Sequence, residues 1–129
     1  MPATAALTVN DGQASPAAHT FAVNGTTGTK ATWLEKSAGV TIGYIRLDHE
    51  VRNAKSPTAA DRVIVNIAMP TVATVDGSSK RVRLSSAQVV FNHSQESTLA
   101  ERKDLVAYVI NALSNAAVKP TLYDVEPFF

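Results

Sequence analysis

Cysteine is absent from this chain of 129 residues, which excludes disulfide frameworks, thiolate metal sites and cysteine nucleophiles. Its absence also fits a reducing compartment. Aromatic residues make up only 6% of the sequence, so a core must be built mainly from Val, Ile, Leu and Ala. These limits still allow one globular domain, which we expect to span residues 1–129.

A long apolar run is missing too. No segment approaches the roughly 18 apolar residues that a membrane-spanning helix needs. The stretch 1–10 lacks the basic and apolar parts of a signal peptide. We therefore expect a soluble protein that has no membrane partner.

Clusters that would indicate catalysis or metal binding are likewise missing. The chain has three histidines, His19, His49 and His93. They fall in separate segments without the spacing of metal ligands, and His49 is interpreted as a packing residue on an apolar strand face. Asp48 and Glu50 share a strand face, as acid–base catalysts can, but the adjacent arginines favour ion pairs. We predict no catalytic residue, no metal and no cofactor.

Almost everything before residue 97 has the patterns of strands and turns. The predicted strands are Ala5–Val9 and His19–Val23, which form a hairpin, then Lys30–Glu35, Val40–Arg52, Asp61–Met69 and Ala87–His93. Pro70 is predicted to end its strand because proline cannot donate to a ladder of hydrogen bonds. The segment Val72–Lys80 contains Asp76-Gly77-Ser-Ser and is predicted to be a mobile loop.

The phase of alternation changes between residues 82 and 91. Val82 and Leu84 are apolar at even positions, whereas Val89 and Phe91 are apolar at odd positions. Because a regular strand cannot satisfy both, we predict a β-bulge near Ser85 and Ser86. That bulge would place four polar side chains on one face: Arg81, Arg83, Ser86 and Gln88.

One amphipathic helix is predicted from Thr98 to about Asn115. Thr98 and Glu101 have the spacing of a capping box. Apolar residues follow at helical spacing: Leu105, Val106, Val109, Ile110 and Leu113. Pro120 then starts a last short element that includes Thr121–Val125.

A single main helix is too narrow for the predicted sheet. Five strands span roughly 20–24 Å, whereas a helix with its side chains is about 10–12 Å wide. About half of the apolar face formed by residues 45–51, 63–69 and 87–91 would therefore stay exposed, which soluble proteins avoid. The mismatch predicts an obligate homodimer in which a second copy supplies the missing helix.

Charge separates along the chain. Residues 40–92 carry a net charge of +3 and residues 93–129 a net charge of −2. The strand region is thus basic and the helical region acidic. Arginines on a solvated sheet face are suited to sequence-independent contact with phosphates.

The segment Val90–Arg102 resembles the coat proteins of small single-stranded RNA bacteriophages, the leviviruses. In that family a strand leads into a helix that starts with a Ser-Thr-x-x-Glu-Arg-like sequence, as Ser97-Thr98-Leu-Ala-Glu101-Arg102 does here. Weaker matches occur in the same order along the chain, at Ala31–Trp33, Val51–Asn53 and Met69–Ala73.

The resemblance implies an α+β fold with an N-terminal β-hairpin, a five-stranded antiparallel sheet and two C-terminal helices. It implies an interlocked homodimer in which each subunit's helices cross onto the partner's sheet. Such dimers would assemble, in the cytoplasm of a bacterial host, into the icosahedral shell of a virion around single-stranded genomic RNA. Residues 72–80 would be a loop with alternative conformations, and the dimer would bind an RNA hairpin and repress translation of the replicase.

The resemblance and the strand register together assign RNA contact to one sheet face. Its arginines would contact phosphates, and its amide and hydroxyl side chains would contact bases or sugars. The predicted RNA-contact residues are Arg46, Arg52, Arg62, Asn66, Arg83, Ser86 and Gln88. The family often has Thr, Ser and Lys at places where this chain has Asp48, Glu50 and Ile64. The alternative function is a dimeric RNA-binding regulator that forms no shell; an enzyme with a pocket on the sheet is disfavoured.

Overall fold

The computed structural model describes residues 3–129. Within this range, six strands form one antiparallel sheet in sequential order, followed by two helices. The strands are β1 (Leu7–Asn10), β2 (Ala18–Thr27), β3 (Lys30–Glu35), β4 (Ile45–Arg52), β5 (Ala60–Val75) and β6 (Ser78–Ser94). The helices are α1 (Leu99–Ser114) and α2 (Lys119–Asp124), and a short 3₁₀ turn lies at Thr41–Gly43. The predicted α+β class and the order of elements are confirmed.

The N-terminal hairpin is continuous with the sheet. Strand β2 pairs with β1 through its first residues and with β3 from Ala22 onward. The predicted hairpin and five-stranded sheet therefore share β2. Strand β4 begins at Ile45 rather than at the predicted Val40, because residues 41–43 form the 3₁₀ turn.

Side-chain contacts fasten this hairpin to the third strand. The indole Nε1 of the buried Trp33 donates a hydrogen bond of 2.8 Å to the carbonyl oxygen of Ala5. His19 lies between two carboxylates, with Nε2 3.2 Å from Asp11 and Nδ1 3.9 Å from Glu35. Backbone N–H groups and the His19 ring hold the pKa of Asp11 below its ordinary value.

Strand β5 does not end at Pro70, so that prediction is wrong. It continues to Val75, and Pro70 pairs with Leu84 of β6. The ladder between β4 and β5 has already stopped at Ala68, so Pro70 lies where β5 has a paired neighbour on one side only. Proline is tolerated at such edge positions because no partner strand requires its missing N–H.

Residues 72–80 form a two-stranded ribbon rather than the predicted loop. Val72, Ala73, Thr74 and Val75 all have paired partners in β6. Asp76 and Gly77 connect the strands with φ values of 51° and 78°. Two consecutive positive φ angles are the mark of a tight type I′ hairpin turn, for which Asp-Gly is a favoured sequence. We call residues 70–84 the arm, since β5 and β6 there extend beyond β4.

The predicted bulge exists, but at a different residue. Pairing is regular through Ser85 and Ser86 and shifts between Thr71 and Val72, which leaves Val82 as the extra residue. By this register Arg83, opposite Thr71, lies on the other side of the sheet from Ser86 and Gln88. The phase of the apolar alternation therefore changes within the arm. There β4 no longer lies beside β5, so a bulge disturbs fewer interstrand hydrogen bonds.

Register divides the side chains of the sheet between two faces. The side that we call the apolar face carries Phe21, Val23, Ala31, Trp33, Ile45, Leu47, His49, Val51, Val63, Val65, Ile67, Met69, Ala87, Val89 and Phe91. His49 sits there between Ala31 and Val65, as expected for a packing residue. The opposite side, the polar face, carries most of the charged and amide side chains of β3 to β6.

The chain covers little of its apolar face. Phe21, Trp33 and Ile64 are the buried hydrophobic residues of the described chain, while Ile67 remains 40% and Met69 49% exposed. Helix α1 is predicted to cover about half of this face. In the structure it faces the sheet across an open cleft, lined by Val63 and His93 on the strands and by Leu99, Val106 and Ile110 on the helix. None of the helices described is long and apolar enough to cross a membrane.

The solvent-exposed area of the chain also indicates that its apolar face is poorly covered. The chain exposes 9631 Å². A compact monomer of this mass, 13.7 kDa, would expose about 6,600 Å² by surface scaling. The excess of roughly 3,000 Å² is within the range that obligate dimers bury. One chain therefore exposes far more surface than a compact monomer of its mass would.

We expect Gly77→Ala to destabilise the arm by about 1 kcal/mol, because a side chain at positive φ meets the following carbonyl group. Hydrogen exchange of the amides in residues 72–81 should become faster, while exchange in β3 and β4 should not change. The matched control is Gly12→Ala, where an added Cβ meets no atom within 4 Å and φ is not positive. Equal exchange in the two variants would contradict the turn assignment.

Candidate nucleic-acid interface

The polar face is built from strands β3 to β6. Cross-strand pairing sets its side chains in four rows that run across these strands. The rows are Leu34, Arg46, Ala68 and Ser86; Thr32, Asp48, Asn66 and Gln88; Lys30, Glu50, Ile64 and Val90; and Arg52, Arg62 and Asn92. Six of the seven predicted RNA-contact residues are thereby brought onto one surface.

Arg83 is the exception. The shift at Val82 places it on the opposite side of the arm from Ser86. Arg81, which pairs with Val72, takes the polar side instead. The prediction that Arg81 and Arg83 share one face with Ser86 and Gln88 is therefore wrong, because it placed the extra residue after Arg83 rather than before it.

Asp48 is held by three side chains. It accepts hydrogen bonds from Thr32 Oγ1 at 2.7 Å and from Arg46 Nε at 3.0 and 3.1 Å, and Lys30 Nζ lies 3.9 Å away. Burial raises the pKa of Asp48, but the hydrogen bonds from Thr32 and Arg46 outweigh burial and hold that pKa below its ordinary value. The carboxylate is thus charged and neutralised by neighbours.

Glu50 has an equivalent partner in Arg52. Nε and Nη2 of Arg52 donate hydrogen bonds of 2.9 and 3.1 Å to the two oxygens of Glu50. The hydrogen bond lowers the pKa of Glu50 and raises that of Arg52. The predicted ladder of ion pairs is confirmed, since each carboxylate is paired with an adjacent arginine of β4.

The polar face keeps an excess of positive charge after these pairs are formed. It carries the cations Lys30, Arg46, Arg52 and Arg62 against two carboxylates, and both carboxylates are paired with arginine. Arg62 lies directly opposite Arg52, in a cross-strand pair of like charges. Such a pair is unfavourable without an anion beside it, so a phosphate between these guanidinium groups would relieve their repulsion.

Lys30 and Thr32 belong to this face and were missing from the predicted set. Alternation in Lys30–Glu35 could have found them, because Trp33 points to the core and its neighbours must point the other way. Ile64 is the one strongly apolar side chain of the polar face that is buried, with 6% exposure between Glu50 and Val90. Because it is buried, Ile64 supports the surrounding polar side chains and is not itself accessible to RNA.

The histidines were the other residues that the sequence analysis weighed as possible ligands. His93 stacks against Phe91 with ring centroids 6.1 Å apart, on the apolar side of β6. Among the residues described, no group of three or more His, Asp or Glu side chains is placed to hold a metal ion. The polar face is accordingly the surface whose chemistry is most distinctive: fixed guanidinium groups, amides and hydroxyls on a rigid sheet.

Comparison with known proteins identifies what the chain is similar to. A family model described as Levivirus coat protein matches residues 2–129. The solved structure of the virus-like particle of bacteriophage NT-214 is 30% identical, with a TM-score of 0.88 and 98% of each chain covered. That of bacteriophage ESE058 is 26% identical, with a TM-score of 0.87, covering 99% of this chain and 100% of the other.

A more distant structure shares the fold alone. The virus-like particle of Beihai levi-like virus 21 is 20% identical, with a TM-score of 0.89 over 99% of both chains. A comparison with the sequences of curated proteins finds no match.

The lowered pKa of Asp48 predicts a pH-dependent contribution to stability. A carboxyl group with a depressed pKa stabilises the fold above its unfolded-state value of about 3.8, and loses that effect as pH falls through the folded-state pKa. We expect Asp48→Asn to lower the free energy of unfolding by about 1–2 kcal/mol at pH 7. The difference should shrink in more acidic solution.

The measurement is urea unfolding followed by Trp33 fluorescence between neutral and strongly acidic pH. Asp76→Asn, at the tip of the arm, is the matched control for removal of one carboxylate. A loss of stability in Asp48→Asn that stays constant across this range would show that the charge of Asp48 is unimportant.

Proposed function

Because the chain belongs to the levivirus coat protein family, and is therefore a capsid-forming protein of the virion, we propose that it acts as an interlocked homodimer that packages single-stranded genomic RNA in an icosahedral shell. The observation that carries this proposal is the apolar face that the chain leaves uncovered. Assembly would take place in the bacterial host cytoplasm, which fits a sequence without cysteine. The role is structural, with no catalytic step.

The edge of the sheet supplies the first part of the dimer. Strand β6 is the last strand of the sheet, and its 17 residues have a paired neighbour only on the β5 side. A long unpaired edge is a template for another strand. Antiparallel pairing of two β6 edges about a twofold axis would join two six-stranded sheets into one continuous layer.

The position of the helix supplies the second part. Helix α1 starts only a few residues after β6 ends, so it begins at the sheet edge. Thr98 and Glu101 form a complete capping box there, which fixes where the helix leaves the strand. Val106 and Ile110 line an open, largely apolar cleft with Val63 and His93 of their own chain, and the partner across the β6 edge would close it. Each subunit would then close the other's core.

This arrangement separates helices from RNA. With the helices on the apolar face, the polar face lies on the opposite side of a common layer. The acidic helical segment would form the outer surface, and the basic sheet would face the genome. Arg46, Arg52 and Arg62 would neutralise phosphates, which gives affinity but little sequence preference.

Recognition of particular bases needs uncharged groups at fixed positions. Asn66, Ser86 and Gln88 are adjacent in the rows of the polar face, and an amide can both donate to and accept from a base edge. Unpaired bases of an RNA loop are accessible to such side chains. We propose that the dimer also binds an RNA hairpin through this region and thereby represses replicase translation.

Disruption of the helix should abolish folding together with dimer formation. We expect Val106→Asp to prevent both, because a charge would be placed in an apolar contact that the single chain cannot replace. Sedimentation velocity and circular dichroism at micromolar concentration measure the two properties. Tyr108→Asp is the matched control, since Tyr108 is 69% exposed on another side of α1.

Two results would contradict the proposed dimer. One is a folded Val106→Asp monomer, which would show that the single chain has a sufficient core. The other is normal dimers and particles from Val106→Asp, which would exclude α1 from the interface. Electron microscopy of the wild-type protein separates the shell from the alternative of a dimeric regulator, which would show dimers alone.

Replacement of one arginine on each side of the sheet tests the RNA face. We expect Arg62→Gln to weaken binding of single-stranded RNA and to reduce the slope of log K against log salt by about 0.7–1. Arg83→Gln removes the same charge from the opposite side and should leave the slope nearly unchanged. Filter binding at several salt concentrations provides the measurement, and equal slopes for the two variants would refute the face assignment.

A further inference from the structure

A polar concavity lies at the edge of the polar face, on the side of β2. Its volume is about 370 Å³, and it is lined by Asn24, Gly25, Thr27, Lys30, Thr32 and Arg46. Only Arg46 belongs to the predicted RNA-contact set. The concavity is therefore a separate feature, adjoining the surface proposed to bind RNA but built mainly from the second and third strands.

A β-bulge shapes this concavity. Pairing between β2 and β3 shifts between Val23 and Gly25, which leaves Asn24 as an extra residue. Gly25 then pairs with Thr32 and Thr27 with Lys30, so these positions share the polar side. Bulges of this kind redirect a side chain, here the Asn24 amide, toward a neighbouring surface.

Gly25 has no structural need to be glycine. Its φ is not positive, and a Cβ added to it would meet no atom within 4 Å. Glycine inside a strand weakens the strand, and it often marks a place where a ligand approaches the backbone closely. The missing side chain at this position is what keeps the concavity open.

The walls offer unused hydrogen-bonding groups. Arg46 uses Nε to bind Asp48, and within residues 3–129 its terminal Nη groups have no protein acceptor. The Thr32 hydroxyl donates to Asp48, so its oxygen lone pairs remain available. Lys30 is 42% exposed, and its Nζ lies 3.9 Å from the Asp48 carboxylate, beyond hydrogen-bond distance. Two cations, a hydroxyl and an amide thus converge on a space with mostly polar walls.

We propose that this concavity is a subsite for one unpaired nucleotide of single-stranded RNA, an inference that rests on the proposed RNA-packaging function. The phosphate binds between Lys30 and the Nη groups of Arg46. The ribose or base edge enters the space above Gly25 and bonds to Asn24 and Thr32. A volume of 370 Å³ is within the range of small-ligand pockets and much larger than a lone phosphate requires.

Filling the concavity without changing its charge gives the sharpest test. We expect Gly25→Leu to weaken binding of a short single-stranded oligoribonucleotide about tenfold to the full-length protein freed of RNA. Gly12→Leu is the matched control, because an added Cβ at Gly12 also meets no atom within 4 Å and Gly12 lines no part of the concavity. Fluorescence anisotropy measures the affinity, and thermal unfolding checks that both variants fold.

A second readout locates the nucleotide and identifies its chemistry. RNA containing 4-thiouridine should crosslink to the peptide that spans residues 24–32 in the wild type, and this crosslink should be lost in Gly25→Leu. A nucleoside 5′-monophosphate should compete for the site, whereas inorganic phosphate at equal concentration should compete weakly. Equal competition by phosphate would overturn the nucleotide assignment in favour of a simple anion site.

The outcomes distinguish this inference from the function on which it rests. Wild-type protein that binds no single-stranded RNA would refute the RNA-packaging proposal itself. RNA binding that is equal in wild type and Gly25→Leu would refute only the subsite. If Gly25→Leu does not fold, Asn24→Ala replaces it, with a severalfold loss of affinity expected and unchanged affinity counting against the subsite.

Discussion

Burial of the apolar face of the sheet is the interaction on which the rest of this coat protein depends. Sequential antiparallel strands place a broad apolar surface on one side, and the single chain buries only Phe21 and Trp33 among its large side chains there. Helix α1, which could cover such a surface, starts after the edge strand and leaves an open cleft between itself and Val63 and His93 of the sheet. The second copy that we propose would complete the core of a chain built in this way.

The polar face depends on the same constraint. In the proposed dimer, helices would occupy one side of a shared layer, and the other side would be free to hold charge. Asp48 and Glu50 do not oppose that role, because Arg46 and Arg52 neutralise them within the same strand. The pairs also fix the guanidinium groups in place, so less conformational entropy is lost when an anion binds.

Much of the fold could be predicted because its signals are local. Alternation located the centres of β4 and β5, and the capping box at Thr98 defined the start of α1. Pro70 misled the prediction because its tolerance depends on whether β4 still runs beside β5, which no local pattern shows. Asp76-Gly77 carried a readable hairpin signal, but the flanking residues lack clear alternation.

The candidate site was predicted less completely, for a related reason. Register from β4 to β6 placed Arg62, Asn66 and Gln88 correctly, since regular strands keep their phase. Arg83 was misplaced because either of two residues could have formed the bulge. The concavity beside Gly25 could not be predicted, because it arises from a bulge in β2 and from three strands brought side by side.

The small core of the single chain has a kinetic meaning as well. If folding and association are one reaction, its rate rises with the square of the concentration of newly made chains, and the midpoint of denaturation rises with total protein. Chains made sparsely early in an infection would stay unfolded and be open to proteases. Chains made in abundance would fold by finding one another, so the supply of shell subunits would switch on sharply as synthesis increases.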